Sequence, residues 1–391
     1  MSEPFKEQVD DLLDDVYSDY LEAIAASRGK TSEEMASIVD KGPYLSARSA
    51  LEAGLIDRIA YLHEIEEQLG VGKFPGKGKG VNWRDYAASG RPSISLGAKK
   101  IALVHAVGAI TTGKSKQSPW SGKTMGSTTI SNAIKKAADE EMIKAIVMRV
   151  DSPGGSALAS DIIWNAIIEA KEKKPFVVSM GDVAGSGGYY ISCAADAIVA
   201  QPNTITGSIG VLALIPDMEG LFDKIGYKID TVQRGKHADF LSMERSMSEW
   251  ERRTLDDFVQ VVYDRFVNLV ARGRGKTFDE IDAIGQGRVW AGVSAKEIGL
   301  VDEIGDLETA IKIAREKAGI PETEKVQFVY YPKKKTISDI LREGEFLDRV
   351  AWPIWKRLPG ELRDVLEKSR LNAIYEDEPV LLLAPDPIDI D

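Results

Sequence analysis

The residues best suited to chemistry lie in Met180-Gly-Asp-Val-Ala-Gly-Ser-Gly-Gly-Tyr-Tyr190, where Ser186 stands between Gly185 and Gly187 with Gly188 beyond. A hydroxyl on a crowded turn that leaves a strand and enters a helix is exposed for nucleophilic attack, and helix-terminal N–H groups can hold the charge that develops on an acyl oxygen. A serine that merely caps the helix is the plain alternative. A second turn of the same kind, Val150-Asp-Ser-Pro-Gly-Gly-Ser156, sets Gly154 and Gly155 ahead of a helix. Without side chains their backbone N–H groups are unobstructed, which suits an oxyanion site, although an ordinary strand-to-helix turn reads the same way. Phosphate binding fits less well, because Gly181 to Ser186 lacks the Lys-Ser/Thr end of a P-loop.

A serine nucleophile needs a base. His105 falls within the apolar run Ile101 to Val107 and reads as a core or half-buried histidine. His237 falls in the polar stretch Gln233 to Asp239, the setting of a solvated loop. Lys236 is the remaining candidate, since a desolvated lysine can lose its proton near neutral pH. Spacing leaves the choice open.

The elements that must position these turns follow from the apolar pattern. Short apolar runs at 101–107, 145–150, 176–179 and 197–200 alternate with helical patterns near 127–139 and 156–171, which predicts a mainly parallel sheet with helices packed on it. Phe328-Val-Tyr-Tyr and Val380-Leu-Leu-Leu-Ala384 read as strand-sized segments, with amphipathic helix between 341 and 371. The chain has 391 residues and carries 50 Lys and Arg against 61 Asp and Glu. The net charge of −11 repels phosphate backbones, so no nucleic-acid partner is expected. One cysteine, Cys193, and three histidines argue against a metal site or any intrachain disulfide, and no cofactor is expected. Cys193 itself reads as a small buried residue. No signal peptide or membrane-spanning run is read.

The chain also repeats itself. Arg28-Gly-Lys-Thr31 recurs as Arg274-Gly-Lys-Thr277 within longer matching stretches, and Ser49 to Ile59 recurs as Ser294 to Ile304 after a one-residue deletion. Both copies read as a long amphipathic helix, a glycine turn, a short helix and a Gly-Leu-φ-Asp element. About 146 residues precede the second copy from roughly Lys100, whereas none precede the first. The expected organisation is a tail of a truncated first repeat over 1–70, a Gly- and Lys-rich linker over 71–98, a catalytic-serine domain over 99–320 and an extension over 321–391.

As a set, the motifs at 150–155 and 180–190, Thr206-Gly-Ser-Ile-Gly210 and the Arg-Gly-Lys-Thr segment resemble the signal peptide peptidase A family of serine peptidases (the S49 type), relatives of the Clp protease and crotonase folds. The resemblance implies an α/β spiral of β-β-α units rather than a doubly wound sheet. It implies Ser186 as nucleophile and the N–H groups of Gly155 and Gly187 as the oxyanion hole, with Gly154, Asp182 and Ser208 as supporting neighbours. The family's Ser-Lys dyad places its lysine in a Gly-x-x-Lys stretch, which here reads Gly235-Lys236-His237-Ala238, so alanine stands where the base would be.

In long members the amino-terminal of two tandem domains supplies that lysine, and the headless first repeat fits such a form cut short. The isolated chain is then expected to turn over little peptide. Implied partners are extended apolar peptides such as cleaved signal peptides, the missing amino-terminal domain, and further copies of the chain in a homo-oligomer of four or more. Full-length relatives attach to the cytoplasmic membrane through an amino-terminal segment. Two other readings stay open: a catalytically silent assembly or binding subunit, and an acyl-CoA enzyme of the crotonase type.

Overall fold

The computed structural model describes residues 2–69, 86, 98–118, 122–333 and 381–383, which fall into two compact units: the described residues of 13–98, and those of 1–12 and 99–391. This division differs from the expected one. Residues 1–12 belong with the larger unit, where Leu12 packs against Val289 and Ala291, and the segment beyond 320 adds strands to both of that unit's sheets. Most of the expected linker, and the helix expected over 341–371, lie outside the described residues.

Helix α1 spans Glu3–Arg28, and the smaller unit continues with α2 (Ser32–Val39), α3 (Ala47–Glu52) and α4 (Leu62–Gln68). Leu21, Ala25 and Met35 form its core. In the larger unit, successive β-β-α units build two sheets. Strand β1 (Lys100–Val107) leads to β2 (Ala109–Thr111), β3 (Gln117–Ser118), β4 (Gly122–Gly126) and helix α5 (Ser127–Asp139). Next, β5 (Ile143–Ser152) leads to β6 (Gly154–Ser156) and α6 (Ala157–Lys171), and β7 (Phe176–Gly185) leads to α7 (Gly187–Ser192). Strands β8 (Ala197–Ala200) and β9 (Ile205–Gly207) follow, then α8 (Glu219–Lys224), α9 (Glu249–Arg274), α10 (Phe278–Ile284), β10 (Val289–Ala291) and α11 (Gly292–Glu297). The remaining elements are β11 (Glu303–Ile304), α12 (Leu307–Lys317), β12 (Gln327–Tyr331) and β13 (Leu381–Leu383).

The main sheet runs β10-β9-β7-β5-β1-β12, with β8 joined to β7 and β11 to β8, and its centre is parallel. The second sheet runs β13-β6-β2-β4-β3. Parallel strands buried on both faces need apolar residues at nearly every position. Accordingly Ala102, Val104, Ile146, Met148 and Val178 join a core with Ile134, Ile163 and Ile167. The alternate residues Ile101, Leu103, Ala145, Val147 and Val177 pack with Ala310 and Ala314 of α12. Cys193 is buried in the first of these cores, and desolvation pushes its thiol up to about 12.

The recurring Arg-Gly-Lys-Thr has a physical cause at each position. Arg28 pairs with Asp57 and Arg274 with Asp302. Gly29 and Gly275 end their helices at φ 61° and 64°, a left-handed seat that glycine occupies without steric cost. The Lys30 and Lys276 stems lie beside Gly54 and Gly299. Thr31 and Thr277 cap the next helix in capping boxes with Glu34 and Glu280.

Helix α9 begins with its own capping box, Ser248 with Glu251, and Glu251 is 3% exposed although it is charged. Arg245 grips both carboxylate oxygens at 2.7 and 2.8 Å; this pairing, and then the Ser248 bonds, hold the carboxyl down to about 2. A depressed folded-state pKa contributes stability above the unfolded value, and that contribution is lost as pH falls toward the folded one. Glu251→Gln is therefore expected to melt roughly 2–6 °C below the native chain at pH 7, a figure discounted for the half-open arginine. The gap should close between pH 4.5 and 2 in melting curves taken across that range; a gap that is constant with pH would refute the linkage.

Candidate active site

Ser186 is held by the end of β7 and its pairing with β9. Val183, Ala184 and Gly185 lie opposite Ile205, Thr206 and Gly207 in parallel register. The Thr206 hydroxyl donates to the Ala184 carbonyl at 2.8 Å, the Thr204 hydroxyl donates to the Gly181 carbonyl at 2.8 Å, and the Ser186 N–H donates to the Gly207 carbonyl at 2.9 Å. The chain turns there so sharply that Ser186 takes φ 51°, ψ −115°. Such a seat costs a side-chain-bearing residue on the order of 1–3 kcal/mol and persists only where neighbouring structure enforces it. Ser186 is fully buried at the start of α7, yet its hydroxyl makes no capping bond, and among the described residues its Oγ has no hydrogen-bond partner. Helix capping is therefore not the role of this hydroxyl.

The paired glycines meet it from the other loop. Gly154 and Gly155 take φ 104° and 150°, and Gly155 bridges to Ile110 of β2. A Cβ placed on Gly187 would stand 3.1 Å from the Gly154 Cα and 3.2 Å from the Gly155 nitrogen. The two glycine-rich turns, some thirty residues apart in sequence, are thus in contact, and Ser186 directly precedes one of them. The Gly154 N–H is already donated to Ser152 Oγ at 3.2 Å.

Of the supporting neighbours, Asp182 is exposed to solvent. Ser208 is buried at φ 48°, next to the Gly207 that accepts the Ser186 N–H, and its own N–H donates to the Arg288 carbonyl at 2.8 Å.

Helix α7 is tied down by residues not singled out from the sequence. The Tyr189 hydroxyl donates to the Leu300 carbonyl at 2.8 Å, and the Tyr190 hydroxyl donates to Asp161 Oδ1 at 2.7 Å, where Arg265 also binds at 2.6 and 2.9 Å. Desolvation raises both phenols, and the Asp161 carboxylate raises Tyr190 further, so both remain donors. The available signal was the Tyr189-Tyr190 pair itself, since a buried phenol needs a partner for its hydroxyl.

Among the described residues no candidate base touches the nucleophile. Lys236 lies in an exposed stretch, and Ala238 is exposed beside it. His237 is exposed and stacks on Trp250 with ring centroids 3.5 Å apart. His105, expected in or half within the core, is an exposed position of β1. It alternates with Ile101 and Leu103, which places it on the α12 side of the sheet, and its ring stacks with Tyr330. Partial desolvation, then Lys123 and Arg149, lower its pKa.

Known proteins resemble this chain over most of its length. The model of peptidase family S49 matches residues 1–73 and 168–321. A chloroplastic serine protease SPPA of Arabidopsis thaliana is 37% identical over 349 residues, 87% of this chain and 51% of that one. A protease 4 of Salmonella typhi is 33% identical over 373 residues, 92% of this chain and 58% of its own length. The chain thus spans a little over half the length of these relatives. A solved ClpP1 mutant of Listeria monocytogenes aligns at a TM-score of 0.35 and 17% identity, over 54% of this chain and 94% of that one.

Proposed function

The chain belongs to peptidase family S49, and from that premise we propose that it is the serine-bearing part of a peptidase that cleaves extended apolar peptides, remnant signal peptides among them, through an acyl-enzyme on Ser186. The observation that carries this reading is the unpartnered Ser186 hydroxyl on a strained turn, with the next residue packed on Gly154 and Gly155. In the proposed reaction Ser186 Oγ attacks the peptide carbonyl and passes its proton to an amine base. The N–H groups of Gly155 and Gly187 hold the oxyanion. Collapse expels the amine half of the substrate with that proton, and water then hydrolyses the ester.

The base is a lysine in this family, and position 238 holds alanine here. Lys236 is too open to solvent to fill the role without moving. A fluorophosphonate probe followed by peptide mass mapping tests both points: an adduct confined to Ser186 is expected, formed within about twofold of the native rate in Lys236→Ala. A slowing of tenfold or more in that variant would make Lys236 the base. Absence of any adduct would favour the second reading, a silent binding or assembly subunit, for which Ala238 is the supporting observation.

A further inference from the structure

We propose that Gln8 is a positioning residue for the nucleophile turn, acting on Ser186 through a run of three hydrogen bonds that passes through two peptide groups. The inference rests on the reading of Ser186 as the nucleophile. Gln8 Oε1 accepts the Val289 N–H at 3.2 Å. The carbonyl of that same peptide group, on Arg288, accepts the Ser208 N–H at 2.8 Å. The carbonyl of the Gly207–Ser208 peptide group in turn accepts the Ser186 N–H at 2.9 Å. The start of α1 therefore reaches the backbone of the residue that carries the reacting hydroxyl, with only peptide groups between.

Each link has a physical reason. Among the described residues β10 ends the main sheet, and because the Arg288 carbonyl faces β9, the Val289 N–H across that trans peptide faces outward, where no strand pairs with it. Val289 is buried, so this N–H needs an acceptor, and Gln8 supplies it. Leu12, one helical turn further on and on the same face of α1, packs against Val289 and Ala291 and seats the helix on the strand. The second copy of the repeat lacks this device: α9 has Thr254 at the equivalent place, and its hydroxyl donates to the Trp250 carbonyl of its own helix at 2.8 Å. At the far end the run meets strain, since Ser186 and Ser208 hold φ 51° and 48°. Seats of this kind persist only where neighbouring structure enforces them, and the N–H of each serine is bonded within the run. Hydrogen-bonded peptide groups polarise one another, so loss of the first link weakens the two that follow.

The test compares Gln8→Met, which keeps the length of the side chain and removes the acceptor, with Gln8→Glu, which keeps the acceptor, each in the full chain. Fluorophosphonate labelling at Ser186 is expected to slow about fivefold or more in Gln8→Met and to stay within about twofold of native in Gln8→Glu. Amide hydrogen exchange is the second readout and needs no chemistry at Ser186. The Ser186, Ser208 and Val289 amides should exchange about tenfold faster or more in Gln8→Met, while those of Val147 and Val177 at the centre of the main sheet keep their native rates. Slower labelling without faster exchange, or the reverse, overturns the proposal, as do native values of both. Equal slowing in Gln8→Glu also overturns it, because the effect would then belong to helix packing and not to the acceptor. Should Gln8→Met fail to fold, Leu12→Ala loosens the same seat and the same two readouts decide. If the native chain forms no adduct at Ser186, the nucleophile reading fails by itself, and the exchange pattern still decides whether Gln8 holds the turn.

Discussion

Alanine at position 187 is expected to slow adduct formation at Ser186 by about 10²- to 10³-fold, the loss that follows removal of one oxyanion donor elsewhere. The added Cβ would meet Ser160 Oγ at 2.8 Å, the Gly154 Cα at 3.1 Å and the Gly155 nitrogen at 3.2 Å. A serine hydroxyl can turn aside. The other two atoms are backbone, so one glycine-rich turn must retreat from the other by a few tenths of an ångström. The retreat separates the two N–H groups proposed to converge on one oxyanion, and hydrogen bonds to a developing charge weaken quickly with such misalignment. The fold should survive at a cost of about 1–3 kcal/mol, because the contact is local and lies at a helix start. The comparison is of labelling rates for Gly187→Ala and the native chain, with Ser186→Ala as the blank. A rate within threefold of native, in a variant that melts cooperatively, would mean that the contact between the two turns has no part in stabilising the reacting oxygen.

That contact also divides what local pattern makes legible from what only the resemblance supplies. Periodicity places β1, α5 and β8 almost to the residue, because a strand or helix face declares itself through neighbours in sequence. The repeated Arg-Gly-Lys-Thr was legible for the same reason, since cap, left-handed glycine and N-cap are local devices. From its neighbours Gly187 reads only as a turn residue, and its meeting with Gly155 was implied by the family resemblance alone, because the partner comes from another β-β-α unit. The Tyr190, Asp161 and Arg265 cluster was hidden in the same way, its members drawn from three helices. His105 shows a different failure. An apolar run marks a strand, but not which of its positions is left uncovered, and this histidine is an exposed position within a mostly buried strand.

Gly155→Ala should lower the stability of the larger unit by about 3–5 kcal/mol and its melting temperature by roughly 8–15 °C. Two independent costs add. At φ 150° the backbone occupies a region that L side chains rarely adopt, and an ideal Cβ there would stand 2.1 Å from the Ile110 carbonyl oxygen and 2.7 Å from its nitrogen. No rotamer relieves a clash between a Cβ and backbone, so β2 and β6 must part at their single bridge, Ile110 to Gly155. By contrast, Gly113 has φ 76° and nothing within 4 Å of an added Cβ. Gly113→Ala therefore carries a positive-φ cost without the clash, and the difference between the two variants reports the close approach together with the harsher φ of Gly155. Thermal unfolding of both is the measurement. If Gly155→Ala melts within about 3 °C of Gly113→Ala, the β2–β6 bridge yields freely, and a rigid oxyanion site built on it is untenable.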